Sequence, residues 1–183
     1  MNAFEAFKQK LMDCYEIPEM GELTWFLSIR VIRDCTQKKL WLCQDSYIKK
    51  VAATFHLEHH QAYVPMITDA LKAYEGQAIL QEAHAYQWKV GSVLYIATNT
   101  RADATRTAAK LSEFLKNPGS KHQQAAEQAI VYLNTTQNKA IQYSVEATDM
   151  TFLCASDAAF GDNIPLRKST EGFLFMLFGG PIH

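Results

Sequence analysis

Tyr86-Gln87-Trp88-Lys89-Val90-Gly91-Ser92-Val93-Leu94-Tyr95 opens the stretch, running on to Leu133, whose spacing decides the fold. Tyr86, Val90, Val93, Leu94 and Ala97 fall on one side of a helix, as do Ala104, Ala108, Leu111 and Leu115, and then Ala126, Ala129, Ile130 and Leu133. Three amphipathic helices therefore follow one another, and their short connections predict sequential neighbours in one block. Pro118-Gly119 breaks the chain before the third helix, where Ser120 with Gln123 has capping-box spacing.

Toward the N-terminus, Phe4, Phe7, Leu11 and Tyr15 have helical spacing, and Pro18 with Gly21 ends that helix. Residues 25–32 alternate as a strand, 34–38 make a turn, and Leu40-Trp41-Leu42-Cys43 returns, which predicts a β-hairpin with an apolar face. Ile48, Val51, Ala52 and Phe55 mark a short helix with Asp45 as its expected N-cap. Residues 56–82 show no sustained period and read as a linker or loosely packed loop. Toward the C-terminus, 140–145 and 152–156 are short strand candidates and 172–178 is a stronger one. The last is apolar on both faces, as expected for a central strand covered on two sides. The predicted class is α+β: an N-terminal helix and β-hairpin, a central three-helix block, and C-terminal antiparallel strands.

Composition is that of an ordinary globular chain, 48% hydrophobic and 20% charged over 183 residues, which excludes a disordered class. Apolar runs such as Phe173 to Phe178 fall far short of the ~20 residues of a membrane-spanning helix. With no signal-peptide pattern, the expectation is an intracellular protein, cytoplasmic or nuclear, without a membrane partner. A net charge of -1 argues against a dedicated nucleic-acid binder, which carries a basic excess to displace counterions from phosphates. Between Ala85 and Lys121, however, six cations (Lys89, Arg101, Arg106, Lys110, Lys116, Lys121) face two anions (Asp103, Glu113). A solvated helix surface is the plainer reading. The alternative is duplex-backbone contact through Arg101, Arg106 and Lys110. Cys14, Cys35, Cys43 and Cys154 lack Cys-x-x-Cys spacing, so neither a zinc knuckle nor a disulfide framework is indicated. His56, His59 and His60 read as exposed loop histidines without an acid or thiol partner, and His122 as a helix-start residue.

The stretch from Tyr86 to Tyr95, followed by Thr100-Arg101-Ala102-Asp103, resembles the copia-type retrotransposon Pol polyprotein. Pro118, Lys121-His122, Ala125-Ala126 and Tyr132-Leu133 fall where that family carries its helices between the reverse transcriptase palm and the RNase H domain. Gly21-Glu22-Leu23-Thr24-Trp25-Phe26-Leu27-Ser28-Ile29 is similar to the family's Gly-x-Leu-x-Tyr-Phe-Leu-Gly-Ile pattern, with Ser28 where the family has glycine. Ser156-Asp157 resembles the first RNase H strand, and Arg167-Lys168-Ser169-Thr170-Glu171-Gly172-Phe173 the entry to the second.

The resemblance implies four parts. Residues 1–55 would be the end of the palm and start of the thumb, 56–82 a linker, 83–136 the thumb or connection helices, and 140–183 the opening strands of a truncated RNase H-like fold. It implies Asp157 as the first Mg²⁺-binding catalytic carboxylate, an RNA–DNA hybrid or DNA as ligand, and the rest of a Pol polyprotein as partner. The parent activity would be RNA-directed DNA synthesis with ribonuclease H cleavage. One aspartate cannot hold the two metal ions of that cleavage. Asp162 and Glu171 match no family ligand, and the polymerase's Asp-Asp pair is absent. The isolated chain is therefore expected to be inactive. The rivals are a non-catalytic nucleic-acid-binding module and a nuclease completed in trans by oligomerisation.

Overall fold

A computed structural model describes residues 3–18, 20–67, 71–145, 152–163 and 168–182. Helix α1 (Ala3–Cys14) is followed by strands β1 (Trp25–Phe26), β2 (Ile29–Asp34) and β3 (Lys39–Cys43), then by α2 (Asp45–Thr54). Helices α3 (Leu80–Asn99), α4 (Thr105–Ser112) and α5 (Ser120–Thr135) come next, with a short 3₁₀ turn at Ala102–Ala104. Strands β4 (Ile141–Ser144), β5 (Leu153–Asn163), β6 (Lys168–Leu177) and β7 (Gly180–Pro181) complete the α+β architecture.

The core lies largely where the apolar stripes placed it, except that Leu94 of the first stripe is exposed and Ile96 is buried in its stead. Tyr86, Val90, Val93 and Ile96 of α3 meet Ala108 and Leu111 of α4 and Ala126, Ala129, Ile130 and Leu133 of α5. Alanines on all three stripes, among them Ala97, Ala108 and Ala129, let the helices approach closely. A fourth helix joins them, because Ile48, Val51 and Ala52 put α2 into the same cluster.

Segment 25–32 is not one strand. Leu27 and Ser28 have φ of 47° and 64°, so the chain reverses there and β1 pairs antiparallel with β2 in the register Phe26↔Ile29. Two consecutive positive φ values are what a tight two-residue hairpin of this twist demands. The Tyr95 hydroxyl on α3 donates to the Leu27 carbonyl and ties the turn to the bundle.

Both expected caps move. The N-cap of α2 is Gln44, and Asp45 stands inside the helix, 3.4 Å from Arg30. At α5 the N-cap is Gly119, whose N–H donates to His122 Nδ1 at 2.8 Å, so His122 closes the box expected from Ser120 and Gln123. Gly119 is required for space: a Cβ there would lie 2.7 Å from the Tyr74 ring.

The expected linker 56–82 ends earlier, since α3 begins at Leu80, and its described part before that helix is irregular but not loose. Asn117 Nδ2 donates to the carbonyls of Tyr74 and Gly76, and its Oδ1 accepts from Ala78 N–H. Thr135, Gln128 and Asn134 of α5 bond Ala62, Val64 and Glu58 in the same way, and Ala62 is buried. Side chains from the bundle thus satisfy backbone groups that neither helix nor sheet would pair.

Strand β4 pairs with β3, register Leu40↔Tyr143, giving the sheet order β1-β2-β3-β4. The second sheet has the order β5-β6-β7. β6 is central, as its pattern predicts, yet Phe173 is 55% exposed, so the expected cover on both sides is not found. The sheets meet where Ser144 N–H donates to Phe178 O at 2.9 Å and the Tyr143 hydroxyl to Pro181 O at 2.6 Å.

Candidate functional site

The candidate residues occupy two separate places: Arg101, Arg106 and Lys110 at the α3–α4 corner, and Asp157 in the middle of β5.

Arg101 is turned inward, 2% exposed. Its Nε and Nη2 donate to the two Asp103 oxygens at 2.9 and 2.8 Å, and Nη1 and Nη2 donate to Thr136 O and Oγ1. The guanidinium also lies 5.3 Å from the Tyr132 ring centre. Burial pushes the Asp103 carboxyl up. Hydrogen bonds from Arg101 and the Tyr132 hydroxyl outweigh this and hold it below the usual carboxylate range. With four of its five donors committed inside the fold and the side chain 2% exposed, the guanidinium is not presented to a phosphate, so Arg101 is not a duplex-backbone contact. The sequence excess at this corner therefore overstates the outward charge. Lys89 is likewise drawn in, 2.6 Å from Glu127.

Arg106 and Lys110 stand one turn apart on the outer side of α4, with Arg106 exposed and Lys110 2.9 Å from Glu113. Lys116 and Lys121 are also exposed. Spacing identified these cations, but not the inward pair. The signal for the inward pair was in Arg101-Ala102-Asp103 itself, two opposite charges beside a helix start. The Thr100 hydroxyl beside them donates to buried Gln44 at 2.8 Å, so the motif fastens α2, α3 and α5 together.

His122 is 2% exposed, stacked 4.2 Å from Phe114, with Nε2 3.0 Å from Lys72 O. Because Nδ1 accepts from Gly119, Nε2 carries the proton and donates. Burial lowers its pKa from 6.5, against an opposing contribution from Lys72 O. The ring is a structural tether.

Asp157 is exposed on β5, opposite Gly172 of β6. Glu171 pairs with Ala158, so it projects from the other face of the sheet. The Asp162 side chain lies outside the described residues. Among the described residues, no three His, Cys, Asp or Glu side chains gather to hold a metal ion. A Mg²⁺ pair, which needs several converging carboxylates, does not fit Asp157 with the acids described around it. His56, His59 and His60 belong to no such group either.

Over 182 residues, 96% of its length, the chain is 27% identical to the retrovirus-related Pol polyprotein from transposon TNT 1-94 of Nicotiana tabacum, of which it spans 14%. Over 181 residues it is 26% identical to a transposon Ty5-1 protein of Saccharomyces cerevisiae, covering 98% of this chain and 58% of that protein. A shorter match, 33% identical over 95 residues, is to secreted RxLR effector protein 161 of Plasmopara viticola, covering 52% of this chain and 66% of the relative. No protein-family profile matches the chain. No solved structure matches it. Among the described residues no helix is long and apolar enough to cross a membrane.

Proposed function

We propose that this chain, a relative of the copia-type transposon Pol polyproteins over most of its length, is the part of such a polyprotein that joins reverse transcriptase to ribonuclease H. By itself it turns over neither reaction. One observation carries the reading: a single helical core is fastened to a β-sheet built from strands on both sides of it in sequence, β1–β3 before and β4 after. Such a core fixes the strands that follow it relative to those that precede it. The parent's RNA-directed DNA synthesis and hybrid cleavage belong to the larger protein. In that setting Asp157 would contribute one carboxylate toward Mg²⁺, and further acids would have to come from elsewhere. The rest of the polyprotein is the natural partner for the exposed apolar residues of α1 and of the second sheet.

The test is turnover of an RNA–DNA hybrid and a primed template by the purified chain with Mg²⁺. No cleavage and no extension is the expected result. Cleavage that disappears in Asp157→Asn would overturn the proposal.

Exposed Arg106 of α4, with Lys116 and Lys121 exposed beyond it, favours a second reading, a non-catalytic module that grips a duplex backbone. It requires binding that is indifferent to sequence, weakens steeply with salt, and falls on charge reversal at Arg106 and Lys110. If binding survives the double reversal, α4 is not the interface.

A further inference from the structure

The turn that leads into α5 fastens the irregular segment before α3 at several points at once. Asn117 engages the carbonyls of Tyr74 and Gly76 and the N–H of Ala78, and His122 Nε2 donates to the Lys72 carbonyl at 3.0 Å. The Tyr74 ring lies against two glycines, so close that a Cβ would stand 2.5 Å from it at Gly76 and 2.7 Å at Gly119. Residues 117–122 therefore hold residues 72–78 as a unit.

That hold depends on the protonation state of one ring. A backbone N–H can only donate, so the 2.8 Å bond from Gly119 N–H requires a bare, accepting Nδ1 on His122. With His122 N–H donating to Gly119 O at 3.0 Å, the cap is closed in both directions. Nε2 donates whether the ring is neutral or charged, so the Lys72 bond does not sense a proton. The Gly119 bond does, because a proton on Nδ1 sets two N–H groups against each other. The ring is buried, stacked on Phe114 and edge-on to Tyr86, so water cannot take the place of the lost acceptor.

No neighbouring charge steadies the imidazolium. Burial and the Lys72 carbonyl act on the titration of His122, and no charged side chain stands with them. From α3, the Tyr86 hydroxyl is committed to Leu111 O and Lys89 to Glu127, while Glu82 is exposed. From α4, Lys110 is paired with Glu113. Lys72 and Glu75 of the segment, Lys116 of the turn and Lys121 of α5 all point to solvent.

We propose that His122 is an acid-sensitive latch: a proton on Nδ1 opens the Gly119 cap and frees residues 72–78 from the bundle while the helical core stays folded. The core needs none of these bonds, since it rests on the apolar stripes of α3, α4 and α5. In the open turn the ring is solvated and titrates near 6.5, whereas burial lowers it in the closed turn. Opening therefore takes up a proton, and its equilibrium constant rises by up to about tenfold for each pH unit below 6.5.

Native-state hydrogen exchange of the full chain, corrected for the pH dependence of intrinsic exchange, is the test. From about pH 7.5 to about pH 5.5 the protection of the Gly119 and Ala78 amides should fall about five- to tenfold. The fall should be nearly independent of dilute urea, whereas Ile130 in the core should exchange only through urea-sensitive unfolding. His122→Gln keeps an oxygen that can accept from Gly119 but does not titrate, so these two amides should lose their acid response. Should that variant not fold, Asn117→Ala decides: by reciprocity, loosening the segment should move the His122 titration, followed by NMR, up toward 6.5. The proposal is overturned if Gly119 and Ala78 keep their protection in acid, or if they lose it with the same urea dependence as Ile130. An acid response that persists in His122→Gln, or a titration that Asn117→Ala leaves in place, overturns it equally.

Discussion

Ser28 and Arg101 show how far single residues can be read. Ser28 stands where the family pattern has glycine, and the structure gives it φ 64° beside Leu27 at 47°. A left-handed non-glycine residue costs about 1–2 kcal/mol. Glycine would relieve that and lose about 0.5–1 kcal/mol to chain entropy. Ser28→Gly is therefore expected to stabilise the fold by about 0.5–1 kcal/mol, read as a higher urea midpoint at unchanged slope. A lower midpoint would mean that the Ser28 side chain has a role the turn does not show.

Removing Arg101 acts in the opposite direction. Breaking a buried ion pair costs about 3–5 kcal/mol, and because Asp103 is about one-third exposed the expected loss for Arg101→Ala is about 2–4 kcal/mol. Lysine cannot reproduce the two-pronged contact, so Arg101→Lys should recover only a fraction.

His122 contributes a pH response just below neutrality. Its folded pKa is depressed, so the unfolded chain takes up a proton first as pH falls. The contribution is complete above 6.5 and is lost as pH drops below it. Denaturation at neutral and mildly acidic pH should show this loss, and His122→Gln should flatten it.

Elements divide by how they are held. Helix α1 has the apolar spacing of a packed helix but no buried residue. Twelve residues with none buried make a marginal helix in water, at the lower edge of the roughly 12–15 at which isolated helices begin to persist. Its amides should exchange with solvent almost as fast as an unfolded peptide, while those of α3 and α5 stay protected. Slow exchange in α1 at low protein concentration would reveal a packing partner. The 56–82 segment is the converse, irregular in sequence yet fastened from outside. Asn117→Ala removes three hydrogen bonds to Tyr74, Gly76 and Ala78. At about 1 kcal/mol per bond, discounted because two of the three are solvent-exposed and one is part-buried, the expected cost is about 1–2 kcal/mol, visible as protease sensitivity in this segment.

At the scale of the whole molecule, the interior is well packed but much apolar surface remains outside. Phe4 and Phe7 of α1, Phe160 of β5 and Phe173 of β6 are all more than half exposed, and β5 is the outer strand of its sheet. Exposed apolar patches beside an unpaired strand edge favour association. Sedimentation velocity should show mass rising with concentration, reduced in Phe160→Lys. A monodisperse monomer throughout would mean that these surfaces are covered in a way the described residues do not reveal. The sequence by itself determined the three apolar stripes, the hairpin and the α+β class, because helical and strand periodicities are local and burial follows from them. It also carried the family resemblance through Thr100-Arg101-Ala102-Asp103. Only the tertiary structure decided that this motif is a clasp facing inward, that β4 returns to β3, and that 56–82 is anchored by distant amides. Those outcomes depend on which polar groups meet across more than 30 residues of chain, as with Arg101 and Thr136. No local period encodes such a meeting.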